Sequence, residues 1–159
     1  MIAATRREAR EHALGLAYER EVRSLSAAAL LAQLAVPPDE YAARLVEGSD
    51  EHAAAIDELL GRFSEHWTLD RMPVIDRTLL RLGTYELVHE PDVPTAVVIS
   101  EAVALAKRYS TKDSGRFVNG LLSRVAAEVR ADRVEHPTVP VDHDGRDHDG
   151  RDHPTEASG

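Results

Sequence analysis

Cysteine is absent from this chain of 159 residues. That excludes disulfide cross-links and thiolate metal sites, and it fits a reducing compartment. Aromatic residues make up only 4%, while Ala, Leu, Glu and Arg abound, a mixture that favours helix over strand. No apolar run approaches the roughly 20 residues that cross a bilayer. The N-terminus opens on arginines and glutamates and lacks the apolar core of a signal peptide, so a soluble, cytoplasmic protein is expected. Also missing are a Gly-rich cofactor loop, an alternating βα pattern and any nucleophile or acid–base pair in a catalytic arrangement. No enzyme activity, cofactor or built metal site is expected.

The length suits one domain with a single core. Hydrophobic residues at 43% and charged residues at 30% are the balance of an ordinary globule. A net charge of −9 argues at first against a nucleic-acid partner, but its distribution weakens that argument. Residues 131–159 hold eight acids against three arginines, and so supply −5 of the total. Between Lys107 and Arg130 six basic residues face two acids, and Arg6, Arg7 and Arg10 stand against Glu8 alone in the first ten residues. Salt screens charges beyond about 10 Å, so a locally basic surface binds phosphate although the molecule is acidic.

Apolar spacing predicts seven helices and an all-α bundle over residues 1–130. The first runs from about Ala4 to Glu21. The second spans about Leu25 to Leu34 and stops before Pro37 and Pro38. The third begins near Asp39 and ends at Gly48. Ser49 or Asp50 is expected to cap the fourth, whose inward face is Ile56, Leu59, Leu60 and Phe63. The fifth starts near Met72 and Pro73, with Ile75, Leu79 and Leu82 inward. The sixth carries Val98, Ala102, Leu105 and Tyr109, and the seventh Val118, Leu122, Val125 and Val129. The strand-like run 95–99 merges into helix six. From 131 to 159 the pattern collapses into a Pro, Gly, Asp and His background with HDGRD twice in tandem, a composition expected to stay disordered. His143 and His148 in that tail are expected to collect a divalent metal only adventitiously, because nothing pre-organises them.

The stretch EAVALAKRYSTKDSGRFVNGLL (101–122) is the candidate site. It reads as a helix, a short polar break and a second helix, with Lys107, Arg108, Tyr109, Lys112, Arg116 and Phe117 crowding the break. A cationic, partly aromatic helix junction suits a phosphate backbone and unstacked bases better than it suits catalysis, which makes RNA the first ligand to consider. Each residue also has a plainer reading. The basic residues fit solvent-facing helix charges, and Phe117 fits a core aromatic. Asp113 is expected to be the N-cap of helix seven, and Asn119 a tie between helices. Trp67 and Tyr85 are assigned to the core or its rim.

The chain resembles the NusB family of transcription antitermination factors. The likeness rests on RREAREHAL near the start, LVEG at 45–48, VIDRTLLRLGTYEL at 74–87, DVPTAVVISEAVALAKRYS at 92–110 and DSGRFVNG at 113–120. It covers about residues 4–130. The resemblance implies two three-helix bundles around a shared long helix. It also implies a heterodimer with the ribosomal protein NusE that holds the single-stranded boxA element of nascent RNA, and membership of the transcription elongation complex.

Residue by residue, the family's arginine-rich N-terminus matches Arg6, Arg7 and Arg10, and its aromatic on the first helix matches Tyr18. Glu8 departs from a position often basic in relatives, and Gly15 replaces a long polar residue. Asp113 and Phe117 match the RNA-proximal junction, to which Lys107, Arg108, Lys112 and Arg116 add charge. Asp76 lies on a face the family uses for its partner, and Asp70 and Arg77 are grouped with it as candidate NusE contacts. Two other readings stand beside this one. One is an accessory that delivers RNA to a separate methyltransferase, a partner that would co-purify with it. The other is an adaptor that binds proteins only or forms a homodimer, in which case mutating the arginines changes no RNA affinity.

Overall fold

The computed structural model describes residues 4–65 and 67–132. The tail from 133 onward, with His143 and His148, lies outside the described residues. Among the described residues there are seven α-helices: α1 (Arg6–Val22), α2 (Ala27–Ala32), α3 (Glu40–Glu51), α4 (Ala53–Phe63), α5 (Val74–His89), α6 (Thr95–Tyr109) and α7 (Ser114–Val129). A single 3-10 turn (Leu69–Arg71) precedes α5, and the run 95–99 is the first turn of α6.

Side-chain caps set several of the starts. Thr5 and Glu8 form a reciprocal capping box on α1: the Glu8 amide donates to Thr5 Oγ1 at 3.1 Å, and the Thr5 amide donates to Glu8 Oε2 at 2.7 Å. Glu8 therefore has a structural task in a first turn where its charge also suits the helix dipole. Ser26 caps α2 at the Ala29 amide, and Asp39 caps α3 at the Tyr41 amide.

The α3–α4 boundary differs from the expected one. Gly48 does not end α3, which continues to Glu51. A Cβ at Gly48 would collide with the ring of Tyr85, so this glycine is a contact between helices and not a stop. Neither Ser49 nor Asp50 caps α4, whose N-cap is His52 without a side-chain bond. Ser49 donates back to the Val46 carbonyl. Asp50 instead caps α2, accepting from the Ala27 amide at 2.8 Å, and pairs with Arg20 at 3.0 Å.

α5 is the shared element. It packs on α1 and α3 on one side and on α4, α6 and α7 on the other, which gives two helical bundles around one helix. Contact on both sides buries Leu79, Leu80, Leu82, Tyr85 and Leu87, together with the polar Asp76, Thr78, Thr84 and Glu86. Buried polar groups need partners, and most here have one. Thr78 donates to the Val74 carbonyl. Thr84 Oγ1 has none, and nothing in the structure accounts for it. At the other end of α5, buried Arg130 donates to the carbonyls of Glu86 (3.3 Å), Leu87 (3.0 Å), Glu90 (3.1 Å) and Val93 (2.6 Å). Among the described residues the Leu87 and Val93 carbonyls have no backbone donor of their own, as is usual beyond a helix terminus, whereas those of Glu86 and Glu90 also accept from the Glu90 and Val93 amides. Arg130 thus belongs to the fold and not to the basic surface.

Candidate nucleic-acid interface

The polar break between α6 and α7 is held over the N-terminal end of α5. Asp76 accepts from the Ser114 hydroxyl at 2.9 Å and from Ser110, and Ser114 Oγ receives the Thr111 amide at 3.1 Å. Gly115 lets α7 approach α6, since a Cβ there would lie 2.9 Å from Lys107 Cγ. The lysine stem is therefore laid across the start of α7. Around this point Lys107, Lys112, Asp113, Arg116 and Asn119 ring an open cleft of about 420 Å³ with Val103 in its wall. Lys107, Lys112 and Arg116 are exposed, and none of them is in an ion pair among the described residues. Three cations outside any ion pair, against the single carboxylate of Asp113 on the same rim, leave this concave surface net positive and suited to an anion.

Asp113 occupies the N-cap position of α7 but makes no side-chain cap bond. Its backbone is αR (φ −92, ψ −6) and not the extended conformation in which a cap side chain folds back on the first turn. It is exposed on the rim of the cleft. Asn119 is also an exposed rim residue and not a tie between helices. Phe117 is half-buried, with one edge against the core and the rest lining the clefts beside it.

The N-terminal arginines divide. Arg6 is exposed and stacks over the Tyr41 ring at 3.7 Å. Arg7 is exposed and reaches across to α6, where Glu101 holds it at 2.9 Å and its hydrogen bond raises the guanidinium pKa. One turn further along α1, Glu11 holds Arg108 at 3.1 Å and accepts from the Tyr109 hydroxyl, raising that phenol. Tyr18 lies on the same stripe of α1, seven residues beyond Glu11, and is 41% exposed. Gly15 between them opens onto free space.

Arg10 does not join this surface. It is buried, bonded to Glu86 at 2.8 Å, and the Tyr41 hydroxyl donates to the same carboxylate. Burial opposes the charge on Arg10, but the Glu86 carboxylate more than offsets it, so the guanidinium pKa stands above its ordinary value. Burial and that carboxylate also push the Tyr41 phenol up. Alternation of charge along α1 carries no sign of this, because Glu86 lies 76 positions away.

The three residues expected to contact a protein partner also separate. Asp76 is buried under Ser110 and Ser114 and reaches only the wall of the cleft beside Trp67 and Phe117. Arg77 is half-buried, bonded through Nε to Glu21 at 2.6 Å and donating to the Met72 carbonyl. Asp70 is exposed in the 3-10 turn. Tyr85 is in the core, whereas Trp67 is 53% exposed and stands between two clefts that meet at Phe117.

The model of the NusB family matches residues 7–127. The transcription antitermination protein NusB of Kineococcus radiotolerans is 47% identical over 127 residues, covering 77% of this chain and 93% of that protein. The NusB of Arthrobacter is 49% identical over 124 residues, covering 76% and 91%. Among solved structures, T. maritima NusB superposes with a TM-score of 0.72 at 39% identity, covering 80% of this chain and 94% of that one. A complex of antitermination factors NusB and NusE with double-stranded RNA matches with a TM-score of 0.66 at 29% identity, covering 76% and 95%.

Proposed function

The chain belongs to the NusB family, and from that premise we propose that it is a transcription antitermination factor. In this reading it binds boxA-type single-stranded RNA together with NusE, and the assembly keeps RNA polymerase elongating on ribosomal RNA operons. Its work is assembly within the cytoplasmic elongation complex and not catalysis. Residues 1–130 are the binding domain.

The observation that carries the reading is the cluster of Lys107, Lys112 and Arg116 around the junction cleft, cations with no acid of their own among the described residues. Arg6, Arg7, Arg108 and Tyr18 extend the surface along α1 and the end of α6. Phe117 offers a ring edge for a base, and Asp113 limits affinity by repelling phosphate. Arg10 and Asp76 support this surface from the core. Asp70 and the partly exposed Arg77 face the protein partner. Contacts from RNA and NusE made together bind more strongly than either alone.

The test is fluorescence anisotropy of a labelled boxA-type RNA, with and without NusE, against a scrambled strand and a duplex. Selective binding of the boxA strand, strengthened by NusE, is expected. Lys112→Ala should weaken it and lower the salt slope by about 0.7, one phosphate contact on a single strand. Asp113→Asn should strengthen binding without loss of helix, since no cap bond is given up. Equal affinity for the scrambled RNA, or a Lys112→Ala variant with unchanged affinity and slope, would overturn this assignment.

A further inference from the structure

We propose that Tyr41 is a positioning residue for RNA. It holds the Arg6 guanidinium flat against its ring, so that the opposite face of the guanidinium is offered to an unstacked base. The inference rests on the RNA-binding reading and adds to it a base subsite at the start of α1.

Tyr41 is the second residue of α3 and is buried. Its ring is a fixed platform, because the hydroxyl donates to the Glu86 carboxylate on α5, which also holds Arg10 of α1 at 2.8 Å. Three guanidinium groups surround the ring. Their Cζ atoms lie 3.7 Å (Arg6), 5.1 Å (Arg44) and 5.7 Å (Arg10) from its centre. Arg10 is held by Glu86, and Arg44 by Glu90 at 2.6 Å. Arg6 alone of the three has no ion pair among the described residues; the ring is its partner, at stacking distance.

This stack lies on the outside of the fold and contributes little to it. Arg6 is exposed, and as the first residue of α1 its charge stands where the helix dipole opposes it. A surface cation–π contact is weak, but it selects one arrangement of a long side chain. The arrangement selected is a flat cationic face. A guanidinium pairs with phosphate through its edge, whereas its plane is what an unstacked base lies on. With one plane on Tyr41 and the other toward water, Arg6 is set for the second contact. Ordering the side chain before RNA arrives also removes a cost otherwise met on binding. The position continues the basic surface. Glu11 is level with Arg108 near the junction end of α6, and Arg7 meets Glu101 further back along that helix. A strand leaving the junction crosses Arg108 and Arg7 before it reaches Arg6 on the α3 side of α1.

The full chain with NusE is titrated with labelled boxA-type RNA by anisotropy. Arg6→Ala should weaken binding roughly tenfold. Arg6→Lys keeps the charge without the plane and should not restore the loss. Tyr41→Leu should weaken binding about threefold in the unmodified chain and no further in Arg6→Ala. Tyr41→Phe gives up the bond to Glu86 but keeps the ring, so it should lower the urea midpoint and retain most of the affinity. In the free chain the Arg6 Nε–H proton should carry an upfield ring-current shift, kept in Tyr41→Phe and lost in Tyr41→Leu. Unmodified affinity in Arg6→Lys means that charge alone acts there, and overturns the stacked base. Unchanged affinity in Tyr41→Leu, equal loss in Tyr41→Phe, or the same loss from Tyr41→Leu with and without Arg6 overturns the positioning role. So does an unshifted Arg6 proton. Absence of RNA binding in the unmodified chain with NusE, with the ring-current shift in place, overturns the underlying reading, and the subsite falls with it.

Discussion

Arg7 and Arg10 are three residues apart on α1 and live in different surroundings. Arg7 is in water with its ion pair to Glu101 on the outside, whereas Arg10 is inside with Glu86 and Tyr41. Removing one partner of a buried pair leaves the other charge uncompensated. Arg10→Ala should therefore destabilise the protein by about 3–5 kcal/mol, read as a lower urea midpoint at unchanged slope. Arg7→Ala should leave the midpoint where it is. A midpoint for Arg10→Ala within error of the unmodified chain would refute the buried-pair account. The RREAR run gives no hint of this division, because the face an arginine occupies depends on which helix arrives beside it. The same holds for Asp76, which looks like a surface charge in VIDR and is a buried acceptor for α6 and α7.

At the scale of the element, α5 and α7 are joined through a cap. Arg130 lies one residue beyond α7 and closes the C-terminal end of α5 with a planar fork that reaches several carbonyls at once. Arg130→Ala should cost about 1–3 kcal/mol by leaving the Leu87 and Val93 carbonyls unmet. Arg130→Lys should not restore the loss, since a point charge does not reproduce the fork; thermal unfolding of the two variants decides it. The helices themselves were legible in the sequence, because stripes such as Val98, Ala102 and Leu105 repeat with the period of a buried face. Tyr109, the next member of that stripe, is exposed and bonded to Glu11, because α6 ends there and its last turn stands clear of the core. The α3–α4 boundary was not legible either, since Gly48 in LVEG looks like a helix stop and only the Tyr85 ring shows what it accommodates. The basic junction was legible as composition. The sequence could not show that Lys107, Lys112 and Arg116 escape pairing while Arg7 and Arg108 do not.

Across the whole molecule, acidity should weaken the fold in a definite window. His89, the last residue of α5, stacks on His52 at 4.0 Å and on Tyr85 at 5.1 Å, drawing α3, α4 and α5 together. His89 is exposed at its outer edge, but the loss of hydration inside this stack first, and the neighbouring His52 second, hold its pKa below the ordinary 6.5, so its share of the decline is small. Below about pH 6.5 the unfolded chain therefore binds a proton that the folded chain refuses, and stability falls as pH drops through that value until the folded pKa is passed. Urea midpoints between about pH 7 and pH 5 should decline, and His89→Gln should flatten the decline slightly; an identical slope in the variant would remove His89 as a cause. The pairs that lash α1 to α6 have a consequence of another kind. Arg7 and Arg108 each carry a private counter-ion, Glu101 and Glu11, tethered at a concentration no buffer salt reaches. When RNA phosphate takes such an arginine, the strand sheds a condensed cation but the liberated carboxylate recruits one back. These contacts therefore release almost no net salt, whereas those of Lys107, Lys112 and Arg116 release it in full. On the proposed reading, the salt slope of RNA binding counts the bare cations of the junction and is nearly blind to the arginines beside it.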